Sequence, residues 1–267
     1  MDRLQLCDAF ASESPQRKHS DNRLQQMPMF DAPAPNVEHS VFVPLHYEAN
    51  YGYPLVVWLH GPQDDQRQLK KIMPMVSLRN FVGIAPCGTV LESGERSSPT
   101  YLGYSWRQKA HDIATCEERV VRCIDLATSR FNVNKTRIFI GGYDSGGTMA
   151  LRIASLHPDL FAGVASIGGQ FPQGLNPLQR IGMVRNLPVL MMQGRDSREY
   201  QLSAACEDLR LMHSAGMSVS LRQYPCEQEV TTVMLEDLNR WLMGIVTGAT
   251  PQNAPIDWQA SNDQFLN

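Results

Sequence analysis

No apolar run in this 267-residue chain approaches the roughly 20 residues that a bilayer-spanning helix needs. A membrane-spanning helical protein is therefore not expected. The opening M-D-R-L-Q-L-C-D-A-F has no uninterrupted apolar stretch and carries Asp8, which argues against a secretory signal. Basic excess is missing too: the formal net charge is −3, so neither nucleic acid nor an anionic membrane is the default partner. The six cysteines (Cys7, Cys87, Cys116, Cys123, Cys206, Cys226) form no C-x-x-C and no evident disulfide framework. In a domain of this size they read as reduced, mostly packing residues of a cytoplasmic protein. No His/Cys group has metal-ligand spacing, so no metal and no cofactor are expected.

What is present is an ordinary globular composition, 43% hydrophobic and 19% charged, at a length that suits one α/β domain. The Pro/Ser/Gln-rich residues 1–35 read as a flexible polar leader, 36–248 as the domain, and 249–267 as a loosely held tail. Continuous apolar runs such as Pro54–His60 (P-L-V-V-W-L-H) and Phe81–Pro86 mark parallel strands buried on both faces. Further strands are expected at Glu38–Leu45, Arg137–Gly142, Phe161–Ile167, Leu187–Gln193 and Val219–Tyr224. Helical spacing covers Leu69–Leu78, His111–Phe131, Gly146–Leu156, Tyr200–Ser214 and Val230–Val246. Strands alternating with helices predict an α/β fold with a doubly wound, mostly parallel sheet and helices on both faces.

The most informative stretch runs from Ile138 to Met149, I-F-I-G-G-Y-D-S-G-G-T-M. It has the strand–turn–helix frame of G-x-S-x-G, in which a sharp turn lifts a nucleophile above a sheet. Gly142 and Gly146 flank the key position two residues away on either side, and that position holds Asp144. Reading Ser145 instead would put Tyr143 where the cramped turn tolerates no side chain.

Around this turn the chain carries Leu59-His60-Gly61 after a strand, His157-Pro158-Asp159-Leu160-Phe161 after the helix, a strand closing on Gly194, a strand ending Tyr224-Pro225, and a terminal helix. In that order the motifs resemble the phospholipase/carboxylesterase branch of the α/β-hydrolase superfamily, the neighbourhood of acyl-protein thioesterases and polyester depolymerases. The resemblance covers about residues 38–247 and implies the α/β-hydrolase fold.

It also implies a nucleophile, a histidine base, an orienting acid and two backbone donors for an oxyanion. At the matching positions this chain departs from the pattern. Asp144 takes the place of the serine, and Gln228, without a titratable nitrogen, takes that of the base. Ser197 stands at the acid, with Asp196 one residue early and in a position to reach inward. Ser145 would give one oxyanion donor, but the other falls on Pro62, after Gly61, and proline has no N–H. The last histidine, His213, lies in a helix and reads as an ordinary helix-end residue.

Other residues have plainer readings. His60 is a loop-shaping hydrogen bonder, and Trp58, Met73, Met75, Met191 and Met192 are core packing. Trp106 either lines a cleft or caps the sheet. Glu227 and Glu229 are solvated loop charges, with a carboxylate pair to Asp144 as the sharper alternative. The expected molecule is a carboxylesterase/phospholipase-like hydrolase homologue that has lost ester hydrolysis and serves as a binding or regulatory module for a small acyl or ester-like ligand. The alternatives are an active hydrolase using Asp144 as an alkyl nucleophile, of the epoxide or halide type, a variant esterase, and a structural homodimer partner.

Overall fold

The structure is a computed structural model, and it describes residues 38–91 and 103–249. The leader read over 1–35, its Cys7, and the tail beyond residue 249 lie outside the described residues.

In chain order the elements are β1 (His39–Phe42), β2 (Tyr53–Leu59), a 3-10 turn (Gln66–Gln68) running into α1 (Leu69–Val76), β3 (Val82–Pro86), β4 (Thr89–Val90), β5 (Tyr104–Ser105), α2 (Ala110–Arg130), β6 (Val133–Tyr143), α3 (Ser145–Leu156), β7 (Gly163–Ile167), α4 (Ile181–Val184), β8 (Val189–Gly194), α5 (Leu202–Ser214), β9 (Val219–Tyr224) and α6 (Thr232–Thr247). Seven strands form one sheet in the order β1-β3-β2-β6-β7-β8-β9; only β1 runs antiparallel, against β3. This is the doubly wound α/β-hydrolase architecture.

Period-2 alternation sorts the strand side chains between two layers. Leu55, Val57 and Leu59 of β2 join Ile138 and Ile140 of β6 in a core covered by α2, α3 and α5. Val56 and Trp58 face the opposite way, with Phe139, Leu190 and Met192, under α1 and α6. Because both faces are covered, β2, β3, β7 and β8 are buried along their whole length. On α2, Cys116, Val120, Cys123 and Ala127 recur at helical spacing and all point into the first layer.

Two expectations need correction. Met75 is 41% exposed, because α1 turns Leu69, Ile72, Met73 and Val76 to the sheet and leaves Met75 on its outer side. Strand β6 begins at Val133, four residues before the expected Arg137; its early part pairs with Tyr53 through a register shift before the regular ladder from Leu55. The small β4–β5 hairpin and the single-turn α4 have no periodic signal long enough to read.

Among the described residues no helix is long and apolar enough to cross a membrane, and no group of three or more His, Cys, Asp and Glu could hold a metal.

Candidate functional site

From β2 the chain crosses to β3 on one side of the sheet, and later to β6 on the other, so the winding direction switches between β2 and β6. Ligands of open α/β sheets bind in the crevice beyond the carboxyl ends of the strands at such a point. Leu59 and Gly142 are register partners there. The His60-Gly61-Pro62 loop leaves β2 and the Asp144 turn leaves β6, so the two motifs singled out in the sequence meet.

Asp144 has φ +50 and ψ −120, a positive-φ conformation that non-glycine residues seldom hold. Its surroundings fix it. The Asp144 N–H donates to Ile167 O at 2.8 Å, and its own carbonyl accepts from Thr148 N at 3.0 Å. The flanking glycines are required by close approach: a Cβ on Gly142 would lie 2.5 Å from the Gly146 carbonyl carbon, and one on Gly146 2.3 Å from Leu59 O.

Gln228 arrives on the loop between β9 and α6. Its Nε2 donates to Asp144 Oδ2 at 3.1 Å and to Gly168 O at 2.8 Å. Its Oε1 accepts from Ser197 Oγ at 2.8 Å, and Ser197 Oγ in turn accepts from Tyr200 N at 3.1 Å. Two acceptors facing the nitrogen and a hydroxyl facing the oxygen leave only one sensible orientation of the amide. Asp144, Gln228 and Ser197 thus form a continuous chain of side-chain hydrogen bonds across the carboxyl ends of β6, β8 and β9. Both amide protons of Gln228 are spent.

Asp196 is not part of this chain. Its exposed carboxylate lies 3.4 Å from Arg195 Nε, and its backbone N–H is held by Cys226 O, which turns the side chain outward. The inward reach read from the sequence is therefore corrected: Ser197, 6% exposed, is the residue that faces Gln228. Glu227 and Glu229 flank Gln228 as exposed charges, and His213 is exposed in the last turn of α5.

On the other wall, Pro62 supplies no N–H, and its neighbours' are committed. Gly61 N donates to Gln68 Oε1 at 3.3 Å and Gln63 N to Tyr104 O at 2.9 Å. Ser145 opens α3, where first-turn N–H groups lack intrahelical partners; its hydroxyl lies 3.4 Å from that of Ser105. His60 is fully buried. Gly88 N donates to its Nε2 at 3.0 Å, which places the ring proton on Nδ1, donating to Gly61 O at 2.7 Å. Burial holds this imidazole below its ordinary range, and it stays neutral. Trp106 lines the cleft above Asp144, and its indole N–H donates to His60 O at 2.9 Å.

That cleft has a volume of about 320 Å³ and reaches from Trp106 and Asp144 to Phe171 and Gln228. Several of its residues gave no signal in the sequence, among them Gln170, Phe171 and Glu199. They stand on loops after β7 and β8, and only the general tendency of ligands to bind at strand carboxyl ends pointed there. Tyr143, the variable residue of the turn motif, was also missed. Its hydroxyl donates to Gln228 O at 2.6 Å and holds the loop in place. Burial first, and then the neighbouring Asp144, push that phenol up to about 12, so it remains a donor.

With this geometry in view, the similarities to known proteins are specific. The family model described as "Putative esterase" matches residues 33–232. A curated relative, the esterase NocK of Nocardia uniformis subsp. tsuyamanensis, itself described as putative, is 39% identical over 146 residues, 54% of this chain. The aligned part spans only 40% of that relative's length. Among solved structures, Arabidopsis thaliana SOBER1 matches with a TM-score of 0.60 at 18% identity, over 73% of this chain and all of that one. Zea mays acyl-protein thioesterase 2 gives 0.60 at 14% identity, over 79% of this chain and 99% of its own. The Bacillus cereus carboxylesterase gives 0.58 at 15%, over 79% and 95%. At these identities the structures speak for the fold alone, the α/β-hydrolase fold, while the family model covers most of the chain: the protein belongs to the esterase family.

Proposed function

We propose that this family member has a dismantled ester-hydrolysis machinery and works as a binding or regulatory module, using the cleft over Asp144 for a small ligand. The observation that carries this reading is the Asp144–Gln228–Ser197 hydrogen-bond chain. In it the atom next to the elbow residue is an amide nitrogen with both protons in use. A carboxamide neither accepts a proton from a nucleophile nor passes one to a leaving group. A carboxylate is also a poor nucleophile toward ordinary acyl carbon, and the loop after β2 offers no N–H at Pro62. Loss of one oxyanion donor alone costs about 10²–10³ in rate in a well-studied protease. The five cysteines of the described residues are free, which fits a reducing compartment such as the cytoplasm.

The test is hydrolysis of p-nitrophenyl acetate and butyrate, together with labelling by a serine-directed fluorophosphonate. The expected result is no turnover above the background of surface nucleophiles and no label. Turnover that disappears in Asp144→Ala would overturn the reading.

One feature favours a second reading. Asp144 keeps the strained backbone of a nucleophile at the turn. Its carboxylate could attack an alkyl carbon, forming an ester while an epoxide C–O bond opens and the alkoxide takes a proton from water. Among the described residues no histidine lines the cleft to activate a hydrolytic water, so that ester would accumulate. Intact-mass measurement after incubation with styrene oxide distinguishes the two: an adduct on Asp144 supports the second, an unmodified chain the first.

A further inference from the structure

We propose that the cleft takes a small organic cation, a primary ammonium group on an apolar body, with the ammonium seated against the Asp144 carboxylate. This deepens the binding-module reading and rests on it.

The argument starts from which hydrogen-bonding atoms around Asp144 remain open. Gln228 Nε2 reaches Oδ2; among the described residues Oδ1 receives no hydrogen bond. Two of the side-chain donors around it are already spent. Gln228 gives its two protons to Asp144 and Gly168, and Tyr143 gives its hydroxyl proton to the Gln228 carbonyl. The deep wall of the cleft therefore presents an unfilled anionic acceptor, and what fills it has to bring protons.

Charge agrees. Among the described residues the lining holds two carboxylates, Asp144 and Glu199, and no lysine, arginine or histidine. Arg152, which bonds to the lining residues Gln108 and Gln173, is 1% exposed, and its guanidinium is engaged through all three nitrogens. It donates to Gln108 Oε1 at 2.6 Å, Gln173 O at 2.6 Å and Gly174 O at 3.0 Å. Arg152 is thus turned to protein acceptors and is not among the residues that line the cleft. An anionic ligand would face Asp144 across a confined space of reduced dielectric, where like charges repel more strongly than in water. Trp106 and Phe171 give the same cleft an apolar floor, suited to the carbon body that carries the ammonium. A bare metal ion is a poorer fit, since no group of three or more metal-ligating side chains occurs among the described residues.

The experiment is isothermal titration of the full chain with three probes of one shape and different charge: 2-phenylethylammonium, 2-phenylethanol and 3-phenylpropionate. The ammonium should bind at least about tenfold more tightly than either of the others. In Asp144→Asn that preference should vanish while affinity for the neutral alcohol stays the same. Asparagine shares aspartate's tolerance of positive φ, so the turn is expected to survive the change. The three-probe ranking on the unaltered chain decides the matter even where the variant misfolds. Equal binding of alcohol and ammonium would overturn the charge assignment and leave the binding-module reading standing. Binding of none of the three would overturn both. Ester turnover dependent on Asp144 would overturn the module reading through a separate assay.

Discussion

Asp144 combines a strained backbone with a side chain suited to it. Positive φ in a non-glycine residue costs of order 1–3 kcal/mol, and aspartate is among the residues that bear it best. At the amino end of α3 a carboxylate is also electrostatically welcome. These considerations make repair of a family triad a matter of several residues at once. Asp144→Ser alone should leave hydrolysis of p-nitrophenyl butyrate at background, because Gln228 takes no proton from it. Adding Gln228→His supplies a base whose orientation depends on position 197, and an unoriented histidine can hold the wrong tautomer, a fault worth about 10⁴ in turnover in a serine protease. Ser197→Asp places a carboxylate where the serine hydroxyl now lies 2.8 Å from Gln228 Oε1. Replacing Pro62 as well restores an N–H after Gly61. Initial rates across the single, double, triple and quadruple variants should rise non-additively, with little gain until nucleophile and base coexist. Robust hydrolysis by the single variant would mean that a base exists elsewhere.

At the scale of elements, the turn between β6 and α3 depends on backbone meeting backbone. The Gly146 position faces Leu59 O and His60 O at 2.3 and 2.4 Å from where a Cβ would sit, and neither carbonyl can swing aside as a flexible side chain would. Gly146→Ala should therefore lower the unfolding free energy by at least about 1–3 kcal/mol, the usual range for overpacking, read from urea denaturation midpoints. Gly182 provides the contrast. It lies within α4, and a methyl group added there would meet nothing within 4 Å. Gly182→Ala should be neutral or stabilising by up to about 1 kcal/mol, since alanine loses less conformational freedom in a helix. Equal destabilisation by both changes would contradict the packing argument.

At the scale of the molecule, His60 joins segments distant in the chain. It follows β2, accepts from Gly88 beyond β3, and its carbonyl holds Trp106. Its folded-state pKa is lowered by burial. The unfolded chain, with an imidazole near the ordinary value of about 6.5, therefore binds more protons than the folded one on the acid side. Stability should rise with pH between the lowered folded pKa and about 6.5, and level off above it. Protonating Nε2 would also break the bond from Gly88 N. Urea unfolding between about pH 5 and 8 should show this slope in the native chain. In His60→Gln the slope should be flatter and the plateau at pH 8 lower. An identical pH profile for the two would remove His60 as its source.

Much of this was legible in the sequence because short-range rules govern it. Continuous apolar runs required strands buried on both faces, α2's recurring Cys116, Val120 and Cys123 required a helix face, and the spacing of Gly142, Asp144 and Gly146 required a tight strand-to-helix turn. The positions matching a family triad could be named from motif order, since loops at strand ends follow chain order. What the sequence left open was decided by side-chain direction and long-range contact. Only the tertiary structure chose Ser197 over Asp196 as Gln228's partner, because Asp196 is drawn outward beside Arg195. It likewise put Met75 on the outer side of α1, tied Tyr143 to a loop 85 residues away, and brought Trp106 and Phe171 to one cleft. Those outcomes depend on which way each chain segment turns as it leaves the sheet, and on atoms far apart in the chain competing for the same hydrogen-bond partners.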